Sequence, residues 1–276
     1  MGNIYERGGV PPSEWERLKK WGYPNHLSIS RIRGFEATGI LRRPYSFLDV
    51  GAGPNQILGL WVRSKGGRYM AFDRNAFPLE KQEEAGNQTI QGSIQEGIIA
   101  PNGRAEAGQR YDVTHARFLL MHLSQEHRKA AVREMLRVTR TAALFMDWNW
   151  NTIGGSPLAN SFRDFGMDLL QASGGNPSMG SFAFQGEIMS TAQQHGFRAR
   201  RFTHLRNTGD YGEMKDLLAN TMIPSMSTHA PLYEPVWAHR LETAQKLLAR
   251  VQAEMAKERP APFTTASIGV VEAIRG

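Results

Sequence analysis

The chain is 276 residues long and 41% hydrophobic, enough to bury the core of one large α/β domain or of a domain with a small appendage. It has no cysteine, which excludes disulfides, thiolate metal sites and a cysteine nucleophile and suits a reducing, cytoplasmic setting. The net charge of +7 is scattered: only Arg198, Arg200, Arg201 and Arg206 cluster, in a stretch that reads as a strand with a solvated basic face, so charge argues little for nucleic acid.

In chain order, "MGNIYERGGVPP" holds no apolar signal core, and Glu6 stands where an acylation pattern wants Ser or Thr. No stretch approaches the roughly 20 continuous apolar residues of a membrane span. In "PPSEWERLKKWG", Ser13 and Glu16 have capping-box spacing and Gly22 ends the turn, which predicts a helix over 14–21. A second helix, "SISRIRGFEATG", is expected to run up to Gly39. Short apolar strands then alternate with helices: "YSFLDV" and "NQILGLWVRSK", "RYMAFD" and "AFPLEKQEEAG", and "QTIQG" before an irregular stretch through Gly108. "YDVTHA", the helix "SQEHRKAAVREMLRVT" and "AALFMD" continue the series. Strands that are continuously apolar and separated by helices predict an α/β fold, a doubly wound and mainly parallel sheet covered on both faces.

Beyond the fifth strand, Gly and Pro interrupt the rhythm around a helix over about Pro157 to Gln171. Next come the helix "FAFQGEIMSTAQQHG", the strand "FRARRFTHL", a helix near 211–220 capped by Asp210 with Glu213, a long helix over about 232–258, and the closing strand "PFTTASIGVVEAI". The expected boundaries are an N-terminal helical cap over 1–44, a cofactor-binding core over 45–150, and lid helices over 151–195. The remainder of the core spans 196–276, with a helical insertion at 210–258.

The first strand ends in "DVGAGPN", and in an open parallel sheet ligands sit beyond the strands' carboxyl ends. Gly51 and Gly53 let the backbone approach a ligand and adopt dihedrals a β-carbon forbids, and the next helix offers free amides. Asp73, about 20 residues further on at the tip of the second strand, suits a ribose diol; alone it reads equally as a cap for the next helix. Together they predict an adenosine-type cofactor. Asn55 and Gln56 follow where a dinucleotide fingerprint needs its third glycine, which disfavours a pyrophosphate ligand.

With "FLDVGAGPN", "AFDRN", "YDVTHARFLLMHL", "AAVREMLRVTR", "LFMDWNW", "IMSTAQQHGFRARRF" and "TTASIGVVEAIRG", the chain from about residue 14 onward resembles the class I S-adenosylmethionine-dependent methyltransferases, especially their bacterial small-molecule branch. The resemblance implies a seven-stranded Rossmann-like sheet with a helical lid, and S-adenosyl-L-methionine as cofactor. It places Gly51, Ala52 and Gly53 along the amino-acid part, with Asp49 also in the cofactor set, and Asp73 on the ribose hydroxyls. Arg74 would stand beside adenine, and Ala116 and Arg117 along the methionine side. Ser93 and Ile94 stand where an acid often meets the adenine amine. Two departures are the missing Pro-Gly-Gly turn before strand five and Asn55 for a frequent glycine, which can cap the first crossover helix.

Methyl transfer from a sulfonium asks the protein to hold a nucleophile about 3 Å from the methyl carbon and in line with the sulfur. For a phenol or alcohol acceptor a base helps. His115 and His122 in the fourth-strand block, His204 and His229 in later segments, and Asp147 at the end of strand five are the candidates. Each has a plainer reading, the histidines as satisfied buried groups and Asp147 as a loop cap. Trp148, Asn149 and Trp150 with Tyr5 are the expected substrate wall, to which Trp15 and Trp21 add or which they merely back as packing. No cluster has metal-ligand spacing. The expected activity is methyl transfer to O, N or C of a small aromatic or amphipathic metabolite in secondary metabolism, with a homodimer left open. The alternatives are a nucleic-acid methyltransferase, a NAD(P)-dependent oxidoreductase, and a binding partner or cyclase that keeps the donor without methylating.

Overall fold

The computed structural model describes residues 22–94, 96–97, 110–172, 174–204, 209–223, 226 and 234–276. The helix expected over 14–21, with Tyr5, Trp15, Trp21, Arg206 and His229, lies outside the described residues. Gly22 opens helix α1 (Gly22–Ala37). Strand β1 (Ser46–Val50) leads into α2 (Ile57–Ser64), β2 (Arg68–Asp73) into α3 (Ala76–Glu84), and β3 (Gln88–Gln91) follows. Strand β4 (Tyr111–Arg117), helix α4 (Gln125–Val138) and strand β5 (Thr139–Asn149) complete the regular alternation.

After β5 come α5 (Pro157–Ala172), α6 (Phe182–Gln194), β6 (Phe197–His204), α7 (Tyr211–Leu217), α8 (Glu234–Met255) and β7 (Ser267–Arg275). The sheet has seven strands in the order β3-β2-β1-β4-β5-β7-β6. β1 through β5 pair in parallel, and β7 runs antiparallel between β5 and β6. The winding reverses between β1 and β4, where a doubly wound sheet places its ligand crevice.

Alternation along the strands assigns the two faces. Phe47, Tyr69, Ala71 and Val113 share a core with Ile32 and Phe35 of α1, Leu58 and Val62 of α2, and Leu79 of α3. Leu48, Val50, Phe72 and Phe145 face Val132 and Met135 of α4 and Ile188 of α6. Each such buried side chain contributes about 1.5–3 kcal/mol, which explains why the strands are apolar on both faces. Trp150, Phe162, Phe165, Tyr211, Met214, Leu247 and Phe263 join α5, α7 and α8 to that second core. Gly166, mid-helix in α5, is required there because a Cβ would collide with the Trp150 ring.

Both departures noted in the sequence have local explanations. Helix α4 passes into β5 without a turn: Thr139 is extended (φ −86°, ψ 129°) and its hydroxyl donates to the Met135 carbonyl at 2.6 Å. Asn55 Oδ1 accepts the Ile57 N–H at 3.0 Å, so it organises the entry to α2 from one residue before the cap. Among the described residues no helix is long and apolar enough to cross a membrane.

Candidate functional site

The glycine loop is tied to β2 before any ligand arrives. Gly51 and Gly53 both take left-handed backbone (φ +67° and +59°). The N–H groups of Gly51 and Ala52 both donate to the Phe72 carbonyl, at 2.8 and 3.1 Å. Gly53 N–H donates to Asp73 Oδ2 at 3.0 Å, while Asp73 Oδ1 accepts from Asn75 N–H at 3.0 Å. Asp73 is therefore both a turn cap and part of the loop. Gln82, absent from the sequence expectations, staples the loop from below by donating to the Gly53 and Asn55 carbonyls at 2.8 and 3.2 Å.

These residues fit an adenosyl group. A Cβ on Gly53 would meet nothing within 4 Å, so the loop opens onto space there, whereas at Gly51 the Leu119 side chain fills the gap. Burial pushes the Asp73 carboxyl above its ordinary pKa, against the backbone donors of Asn75, Gly53 and Arg74. Among the described residues no cation pairs with it. A part-buried carboxylate of this kind gains from two hydroxyl donors. Arg74 is exposed beyond β2, Ser93 is half-buried and Ile94 is buried after β3.

Asp49 and His115 are direct neighbours across β1 and β4. Asp49 is only 2% exposed; Tyr69 donates its hydroxyl to Oδ2 at 2.7 Å, and His115 Nδ1 donates to Oδ1 at 2.7 Å. Burial raises the Asp49 pKa, but His115, Arg117 and the Tyr69 hydroxyl outweigh it and the net shift is downward. The other His115 nitrogen lies 3.0 Å from Ser28 Oγ of α1. Both ring nitrogens and both carboxylate oxygens are thus engaged inside the core, away from the open edge. His122, in the turn Leu120–His122 after β4, has its pKa pushed down to about 4 by burial.

The β4 tip is unusual. Ala116 is abreast of Val50, which sets Arg117 beside Gly51. Arg117 donates from Nη1 to Asn25 Oδ1 of α1. Phe118 is a left-handed non-glycine residue (φ +57°), held by its N–H donating to the Met146 carbonyl at 2.8 Å. Strain of this kind, about 1–3 kcal/mol, clusters at functional sites. The Phe118 ring sits 4.4 Å from that of Trp148, and both, like Phe202, pack against the cluster of Leu27, Leu144, Met146, Ile268 and Val270. Trp148 pairs with Ile268, which pairs with His204, so the three share the face that α1 covers. Burial and the Arg31 charge lower the His204 pKa.

Asp147 points to the opposite face and is 4% exposed. Burial pushes its pKa up to about 8, against the backbone N–H groups of Met121 and Leu120 and the Arg128 charge, and its Oδ1 has no hydrogen-bond partner. The chain before α6 closes over it: Asn176 N–H donates to the Met121 carbonyl at 2.7 Å and Gly180 N–H to that of Trp148 at 2.9 Å. Trp150 is buried at the α5 interface, 5.8 Å from the Phe162 ring and edge-on to Trp148 at 5.9 Å, so among the described residues both tryptophans of the expected wall belong to one aromatic row with Phe118. Asn149 is half-buried between the two tryptophans in sequence, with Oδ1 unpartnered. Phe118 belongs to that row and was missed, as was Phe202 on the same face, whose ring lies under the Arg31 guanidinium at 4.2 Å. No group of three or more His, Asp or Glu among the described residues is placed to hold a metal.

The basic stretch also has internal partners. Arg200 pairs with the buried Glu272 at 2.5 Å, and Arg201 donates to the Phe182 carbonyl at 3.1 Å.

No family model matches the sequence, and neither does any curated protein. Solved structures do. A Galdieria sulphuraria protein, a candidate sarcosine dimethylglycine methyltransferase, is 16% identical over 99% of this chain and 94% of its own, with a TM-score of 0.50. The magnesium protoporphyrin IX methyltransferase of Synechocystis, solved with S-adenosylhomocysteine, is 12% identical over 99% of this chain and 91% of its own, with a TM-score of 0.50. A candidate methyltransferase from an antibiotic biosynthesis pathway of Anabaena variabilis is 14% identical over 87% of this chain and 96% of its own, with a TM-score of 0.54. At such identities the likeness establishes a shared fold.

Proposed function

We propose that this chain, which has the fold of the class I methyltransferases, transfers a methyl group from S-adenosyl-L-methionine to a small-molecule acceptor. The observation that carries the reading is the unit formed by Gly53 and Asp73 at the switch point of the sheet. When bound, the S-adenosyl group supplies an electrophilic methyl on a sulfonium. Gly51, Ala52 and Gly53 give its amino-acid end close backbone contact, Asp73 accepts from the ribose hydroxyls, and Arg74, Ser93 and Ile94 border the adenine. Ala116 and Arg117 flank the methionine side.

Phe118 and Trp148 provide an apolar wall that orients a flat acceptor and excludes water, which suits an aromatic or amphipathic metabolite. His204, on the same face and with its pKa lowered, is neutral near pH 7 and is our candidate for taking a proton from a hydroxyl acceptor. Asp49 and His115 act as positioning residues beneath the loop, and Asp147 organises the turn that carries Phe118 and Leu119. Helices α5, α7 and α8 form the lid. The Arg200 and Arg201 contacts favour a small acceptor over nucleic acid.

Calorimetric titration tests this reading. S-adenosylhomocysteine is expected to bind and NAD to give no heat; binding of NAD alone contradicts the assignment.

A further inference from the structure

The end of the sheet where β4 and β5 begin carries a cleft of about 590 Å³, formed along the last turns of α4 and reached by the ends of α6 and β7. Arg275 stands there because β7 runs antiparallel, so its last residues pair with the first residues of β5 and β6. Its Nη2 donates to the Thr139 carbonyl at 3.1 Å. Thr139 and Trp148 stand at opposite ends of β5, about 30 Å apart at 3.3 Å per residue. The cleft is therefore separate from the crevice at the strand tips.

Its floor is apolar, with Leu136 and Ile94 both buried. Its rim is cationic. Arg110 and Arg133 are exposed there, and among the described residues neither forms an ion pair. The Arg275 guanidinium is fixed by the Thr139 carbonyl and by the Phe197 ring, 4.4 Å beneath it. Of the two acids, Glu134 is taken, since both its oxygens accept from Arg137 at 2.7 Å. That leaves Glu96 against the guanidinium groups of Arg110, Arg133 and Arg275, a formal balance of two positive charges. Carbonyls at the C-terminal end of a helix oppose an anion, but those of α4 are engaged. Met135's accepts from the Thr139 hydroxyl at 2.6 Å, Leu136's from the Thr139 N–H, and Thr139's from Arg275.

Cations gathered on one rim repel one another until an anion neutralises them, and the fork of a guanidinium matches phosphate oxygens. We propose that this cleft binds a small phosphate ester. Its dianion is met by Arg110 and Arg133 with Arg275 fixed beside them, and its organic part lies over Leu136 and Ile94. A rim that also holds Glu96 and Glu134 suits one dianion better than a polyanionic strand.

The test titrates phenyl phosphate, inorganic phosphate and phenol by calorimetry into wild type, Arg110→Gln, Arg133→Gln and Arg42→Gln, the last an exposed arginine away from the cleft, at constant chloride ionic strength. Phenyl phosphate is expected to bind wild type saturably and phenol to give no heat. Arg110→Gln and Arg133→Gln are each expected to weaken phenyl phosphate binding by about tenfold, as for one charge-assisted hydrogen bond, and Arg42→Gln to leave it unchanged. An unchanged melting temperature without ligand shows that each variant is folded. Inorganic phosphate bound as tightly as phenyl phosphate, with the same losses, keeps the site and assigns it the phosphate group alone. No saturable binding by wild type, or binding that the two cleft variants leave unchanged, overturns the proposal. So does a single-stranded oligonucleotide that binds more tightly than phenyl phosphate and loses affinity in those variants. The readout does not depend on the methyl donor, so the proposal and the donor reading stand or fall separately.

Discussion

Asp73 Oδ2 accepts the N–H of Gly53 at 3.0 Å, so the acid on β2 and the second glycine after β1 form one unit. Removing the carboxylate is expected to lose the proposed ribose contacts and loosen the loop together. Asp73→Ala is expected to weaken S-adenosylhomocysteine binding by on the order of a hundredfold, the worth of a pair of hydrogen bonds to a charged group. Asp147→Ala, on the other face, is expected to change it by less than about threefold. Calorimetry on both checks the contrast, and equal losses contradict it.

The buried Asp147 carboxyl has a pKa near 8 in the folded chain against an ordinary 3.8. Its folded pKa is raised, so the stability it contributes is complete below pH 4 and declines as pH rises through about 8. Urea unfolding of wild type and Asp147→Asn at pH 5 and pH 8 separates this group from all others. Asp147→Asn is expected to lose less stability over that interval than wild type; identical slopes contradict the burial argument.

Phe118 holds φ +57° and its ring also packs, tilted, against Trp148. Phe118→Ala removes the ring and keeps the strain; Phe118→Gly removes both. Thermal unfolding is expected to rank Gly above Ala by about 1 kcal/mol, reversing the usual cost of glycine, with both below wild type.

Gly166 lies inside α5, where helix propensity favours Ala by about 1 kcal/mol. The Trp150 ring occupies the space a Cβ needs. Gly166→Ala is expected to destabilise by about 1–3 kcal/mol in urea titration, overpacking outweighing propensity.

The alternation of β1 to β5 with their helices was legible because β1, β2 and β5 hold dense apolar runs and several helices carry visible caps, as Ser124 does for α4, while β3, QTIQ, has a single buried residue and follows from its place in the alternation. Gly51, Gly53 and Asp73 were legible from spacing alone. What sequence did not reveal depends on register. Asp147 and Trp148 are adjacent, yet the pleat sends one beneath the chain before α6 and the other into the aromatic row. The Asp49–His115 pair exists only because β1 and β4 are neighbours at those positions. Phe202 and His204 share the face of Trp148 because β6 pairs with β7, a long-range choice no local pattern records. Gln82 looks like an ordinary polar helix residue until α3 is placed under the loop.

The most direct test is a crystal structure of the protein grown with S-adenosylhomocysteine. The account predicts density across the tips of β1, β2 and β4, with both ribose hydroxyls within hydrogen-bond reach of Asp73. A crevice left empty at saturating ligand, or one that takes up a dinucleotide in its place, would contradict it.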